Sequence, residues 1–130
     1  MQIVIDHTTG RPVYLQIIDQ VKRDIAMGRL RESERLPTVR ELAATLAINP
    51  NTIAKAFRQL EQEGIIQTRA GAGAFVANLD KGLNKTVKRR LITEALERVA
   101  VDAFHMQVTE ATLRSWFESV LEKYQLPSGP

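Results

Sequence analysis

Cysteine is absent from the 130 residues. That excludes a disulfide framework, a thiol nucleophile and any cysteine-ligated zinc site. Aromatic residues make up only 5%, too few for the stacking platforms on which single-stranded nucleic acids are read. The 7 glycines and 5 prolines are scattered, unlike those of a collagenous or low-complexity chain. No window reaches the 18 or so uncharged apolar residues of a membrane helix; the most apolar stretch, Leu91 to Phe104, is interrupted by Glu94, Glu97, Arg98 and Asp102. The opening residues Met1-Gln2-Ile3-Val4-Ile5-Asp6-His7 lack the pattern of a secretory signal. A cytoplasmic location with no membrane partner is therefore expected. Neither a phosphate-binding glycine-lysine motif nor an HExxH pair occurs. Asp102 and His105 stand at i, i+3, but no third metal ligand accompanies them. No enzyme activity, metal or other cofactor is expected.

What remains is average globular material, 44% hydrophobic and 25% charged, enough for one domain or a small domain with an appendage. The net charge of +3 leans towards an anionic partner but is too mild to establish one. Its distribution says more. One run stands out, Lys81, Lys85, Lys88, Arg89 and Arg90, opposed only by Asp80. It reads either as a solvated face or as a set of phosphate contacts.

Along the chain, Ile3-Val4-Ile5 predicts a short strand. Tyr14, Ile18, Val21 and Ile25 share one helix face, and Gly28 suits the left-handed position after that helix. Thr38 and Glu41 have the spacing of a capping box at the head of a second helix, whose apolar face is Leu42, Ala43 and Leu46. Asn49-Pro50 stops it and starts a third. Ile53, Ala56, Phe57 and Leu60 form the buried stripe of that third helix. Asn51, Lys55, Arg58, Gln59 and Gln62 fall on a front face rich in donors and read as free of carboxylate. Free N–H groups at its start would suit phosphate. After Gly64 the period becomes two: Ile65 to Arg69 and Ala74 to Ala77 flank the turn Ala70-Gly71-Ala72-Gly73, a β-hairpin. Two further helices follow from about Thr86. The first carries Val87, Leu91, Ala95, Leu96, Val99, Ala103 and Phe104. The second, capped by Thr109 and stapled by Val108 and Leu113, carries Leu113, Trp116, Phe117, Val120, Leu121 and Tyr124.

Three helices and a glycine-tipped hairpin make a winged helix-turn-helix, whose third helix can enter the major groove. The expected fold is mainly α with a small β-hairpin. The winged domain spans 1–77 and a linker 78–85. A two-helix dimerisation or effector segment spans 86–126 and a tail 127–130.

The run Leu36-Pro37-Thr38-Val39-Arg40-Glu41-Leu42-Ala43, then Thr52-Ile53, Ala56, Leu60, Gly64 and Gly71-Ala72-Gly73-Ala74-Phe75-Val76, resembles the DNA-binding domain of the GntR family of bacterial transcription regulators. Asn49-Pro50-Asn51-Thr52 and the short tail resemble its YtrA subgroup. The resemblance implies small repressors, often beside genes for ABC-type transporters. By position it also implies DNA contacts at Arg40, at Asn49, Asn51 and Thr52, and at the wing tip Gly71, Ala72 and Gly73. Pro50 and Ala54 stand where many members carry arginine, so Asn51, Lys55 or Arg58 would have to supply base contacts. Thr38 could add a phosphate contact, and Arg69 a cation at the base of the wing.

Two helices cannot bury both apolar stripes alone. A homodimer through Leu91, Leu96, Val99, Leu113, Trp116, Phe117 and Val120 is expected, on double-stranded DNA with two-fold symmetry. A small-molecule effector is expected to bind at the dimer interface, at the domain junction, or not at all. The competing readings are a winged-helix protein-interaction module and an architectural DNA binder without sequence preference.

Overall fold

The computed structural model describes residues 1–78, 80 and 82–127, so Lys81 of the basic run and tail residues 128–130 lie outside the described residues. The chain divides near residue 81 into two compact units.

In the first unit, α1 (Val13–Ala26) follows Pro12, whose carbonyl accepts from Leu15 and Gln16. Its buried face is Ile17, Ile18 and Val21, with Tyr14 and Ile25 only half-buried, so the apolar face is rotated towards Ile17. The helix closes on Gly28 (φ 78°): Gly28 N–H donates to Ile25 O and Arg29 N–H to Asp24 O. That pair of bonds is a Schellman motif. The N-terminal segment does not form the expected strand. Glutamine side chains replace the missing sheet partner instead. Gln20 pairs with both backbone groups of Val4, and Gln16 accepts from Asp6 N–H while donating to the carbonyls of Asp6 and Arg11. Ile3 is thereby held in the core. At the turn, the Thr8 hydroxyl and N–H both donate to Asp6 Oδ1, which holds that carboxyl below its ordinary range.

α2 (Val39–Leu46) is capped by Thr38, whose hydroxyl accepts from Glu41 N–H at 3.0 Å. Only this half of the capping box forms among the described residues. Ala47 ends the helix in the left-handed region (φ 54°), and Ile48 N–H donates to Ala43 O. α3 (Pro50–Gln62) follows at once and ends in a second Schellman closure on Gly64. The core of the unit joins Ile17 and Val21 of α1, Leu42 of α2, and Ile53, Ala56 and Leu60 of α3.

Strands β1 (Ile66–Arg69) and β2 (Gly73–Val76) pair antiparallel, with Ile66 opposite Val76 and Arg69 opposite Gly73. The segment before α2 adds a third edge that the sequence did not announce. Leu36 N–H donates to Ala74 O, Val76 N–H to Glu34 O, and Arg35 bridges Phe75.

The second unit holds α4 (Lys85–His105), capped by Asn84, and α5 (Glu110–Lys123), capped by Thr109. α4 begins one residue earlier than expected. Its end is a third Schellman closure, with Gln107 rather than glycine at positive φ (57°).

An alanine in the left-handed region is strained by roughly 1–2 kcal/mol. Ala47→Gly should therefore raise stability by about 0.5–1 kcal/mol, the gain being reduced by the entropy glycine adds to the unfolded chain. Urea unfolding of the two proteins checks this.

Candidate nucleic-acid interface

The third helix is fixed from behind: Ile53, Ala56 and Leu60 have no exposed surface. At helical spacing, Asn51, Lys55, Arg58 and Gln62 then form a continuous exposed line at i, i+4, i+7 and i+11. The Lys55 ammonium rests 4.0 Å from the centre of the Tyr14 ring. Gln59 leaves the front face, because it donates to Glu63, which also pairs with Lys22 at 2.6 Å. Thr52 and Ala54 flank the line, half-buried.

Two expectations about this helix need correction. Its start offers no free N–H. Pro50 has none, Asn51 N–H donates to Asn49 Oδ1, and Thr52 and Ile53 N–H both point at Asn49 O. Asn49 is thus committed as a cap and keeps only its amide donors, so the open donors at this end of α3 belong to side chains. Nor is the front free of carboxylate. Glu61 lines the same groove as Arg58, where its carboxylate accepts from Thr68 N–H of the wing at 3.0 Å. It ties α3 to β1 and sets a negative charge beside the reading face.

At the head of α2, Thr38 spends its hydroxyl on the cap, while Arg40 is exposed and forms no ion pair among the described residues. Val39 and Arg40 N–H find no acceptor among the described residues. This first turn, not that of α3, carries open donors. The groove between α2, α3 and the wing encloses about 310 Å³ and is lined by Thr38, Val39, Arg58, Thr68, Gly73 and Ala74 among others.

At the wing tip Ala70, Gly71 and Ala72 are exposed, and Ala72 N–H closes the turn on Arg69 O at 3.0 Å. Gly71 takes φ 74°, a conformation glycine adopts at least cost. Arg69 does not project freely: its guanidinium lies over the Phe75 ring, 4.3 Å from the centroid.

In the second unit, Leu91, Leu96, Val99, Trp116, Phe117 and Val120 are all exposed and Leu113 is half-buried. Ala103 is the only hydrophobic residue of this unit that is buried among the described residues. Lys85, Lys88, Arg89 and Arg90 are exposed in the first turns of α4. Among the described residues no three His, Asp or Glu side chains are grouped to hold a metal, and no helix is long and apolar enough to cross a membrane.

A short second helix, a tight turn, a reading helix with a polar front and a slim wing define a winged helix-turn-helix of the DNA-binding class. Residues 13–76 match the family described as bacterial regulatory proteins, gntR family. The chain is 36% identical over 118 residues to the HTH-type transcriptional repressor YtrA of Bacillus subtilis, covering 91% of both chains. Its fold superposes with a TM-score of 0.84 on a transcriptional antiterminator from Listeria monocytogenes, at 25% identity, over 100% of this chain and 97% of that one. It also matches the AraR DNA-binding domain in complex with an operator, at a TM-score of 0.52 and 25% identity, over 59% of this chain and 96% of that one. The chain belongs to the gntR family, as its motifs indicated, and is a DNA-binding transcription regulator rather than an enzyme.

Glu61→Gln keeps an acceptor for Thr68 N–H and removes the charge beside Arg58. It should tighten binding to any DNA duplex by about 2- to 5-fold at low salt, the gain fading as salt is added. Anisotropy titrations at two salt concentrations check this.

Proposed function

We propose that the protein is a homodimeric repressor whose two α3 helices read the halves of a palindromic operator. The observation that carries the reading is the line Asn51, Lys55, Arg58 and Gln62, exposed on a helix whose back is fully buried. A helix held this rigidly can offer its side chains to base edges in one register. Asn51 suits adenine and Arg58 guanine, each through two hydrogen bonds. Lys55 can leave Tyr14 for phosphate or base, and Arg40 with the open N–H groups of α2 suits a phosphate. The slim tip at Gly71, Ala72 and Gly73 fits a minor groove, with Arg69 behind it. Lysine and arginine release counterions and supply affinity that is indifferent to sequence.

Dimerisation is supported by what α4 and α5 leave uncovered. Trp116 is 57% exposed and Phe104 78%, beside Leu91, Leu96, Val99, Phe117 and Val120. Large apolar side chains left uncovered on both helices favour an interaction face. A second copy is the natural occupant because repressor half-sites come in pairs. Trp116 and Phe117 are proposed as its central anchors. The cytoplasm as location and ABC-type transporter genes as targets rest on family resemblance.

Binding to the chain's own upstream DNA should resist scrambled competitor. Asn51→Ala should lose roughly 1–3 kcal/mol of that discrimination while keeping its affinity for the competitor. Equal affinity of the wild type for both DNAs would favour an architectural role. In sedimentation equilibrium the wild type should be dimeric at micromolar concentration. Phe117→Glu should shift it to monomer and lower operator affinity by at least about tenfold, since one half-site would be lost from each complex. A monomeric wild type would refute the dimer.

A further inference from the structure

Three segments converge on the outer face of the wing. Register sets Arg69 opposite Gly73, and cross-strand partners point to the same side of a sheet. Phe75, two residues on, shares that side, and the Arg35–Phe75 bridge brings Arg35 onto it from the segment before α2. The side chains agree with the register. A Cβ placed on Gly73 would stand 3.2 Å from Arg35 Nε and 3.6 Å from one of its terminal nitrogens. The Arg69 guanidinium stacks on Phe75. The inner side of the hairpin is already occupied: Ile66 and Val76 are buried in the core, and Thr68 and Ala74 face the groove beside α3.

Two guanidiniums therefore flank one bare stretch of backbone on the outer face. Arg35 and Arg69 are both exposed, and no carboxylate forms an ion pair with either among the described residues. Like charges gathered without an acid between them repel, and the arrangement becomes favourable when an anion arrives. Gly73 makes the arrangement possible. A side chain there would crowd Arg35, and φ of +107° would strain any L residue.

We propose that Arg35 is a second DNA-contacting cation of the wing. Laid across Gly73 beside Arg69, it grips a backbone phosphate on the outer side of the wing while α3 occupies the major groove. This rests on the DNA-binding reading above and adds a contact to it.

The test uses the full chain and a duplex of arbitrary sequence, about 30 base pairs long, because phosphate contacts are indifferent to sequence. Anisotropy titrations across a salt series compare the wild type, Arg35→Gln and Arg35→Lys, with thermal unfolding of each alongside. Arg35→Gln should lower the slope of log affinity against log salt by about 0.9 per bound protomer, and Arg35→Lys should restore it. Tm should stay unchanged in both, since the bridge to Phe75 is made by backbone. A wild-type slope in Arg35→Gln would overturn the proposal. So would a loss of binding and of Tm shared by both variants, which would make Arg35 a structural pin. A wild type that ignores the duplex even at low salt would instead bring down the DNA-binding reading, and this proposal with it.

Discussion

Ile53, Ala56 and Leu60 of α3 meet Ile17 and Val21 of α1 with no surface left to solvent on any of the five. That contact fixes the rotation of α3 about its own axis. With those three side chains inward, Asn51, Lys55, Arg58 and Gln62 have nowhere to go but out. Truncating a side chain in such a core costs roughly 2–5 kcal/mol, a large part of the stability of a small domain. The left-handed Ala47 then sets the angle at which α3 leaves α2, and the Thr68–Glu61 bond ties the wing to the same helix. The exposed line is a by-product of the core: the residues that turn it outward are themselves buried.

Helix ends were the most legible part of the sequence. Thr38, Asn49 and Thr109 cap as their spacing indicates, and Gly28 and Gly64 close their helices. Each of these signals is local, a side chain bonding to backbone two or three residues away. What escaped was non-local. The Ile3–Ile5 segment carries apolar residues like a strand, but its partners are the amides of Gln16 and Gln20, and no periodicity announces a side chain acting as a strand. The front face read as free of carboxylate because only the arrival of the wing brings Thr68 to Glu61. Arg35 sits in four residues too short to show an alternation, and its role at the wing depends on pairing with Phe75, forty residues on. The free N–H groups expected at α3 were lost to a detail of capping: Asn49 satisfies three donors with one side chain and one carbonyl.

The two units differ in how they use apolar residues. The first buries fourteen hydrophobic residues in one cluster. The second spreads Leu91, Ile92, Leu96, Val99, Val101 and Phe104 around α4, and all of them are exposed. Such exposure is what the proposed dimer would cover. The sequence located this segment but not the extent of its exposure, since an apolar stripe reads alike whether it is covered from within or by a partner.

The central claim is that two reading helices, held by a shared core from paired α4–α5 segments, address two related half-sites. Hydroxyl-radical footprinting of the protein on its own upstream DNA tests it most directly. The expected result is two protected patches related by a two-fold axis, with centres about one helical turn apart, roughly 34–36 Å, or a whole multiple of that. Both patches should disappear together in Phe117→Glu. A single asymmetric patch, or protection spread evenly along any duplex, would contradict it.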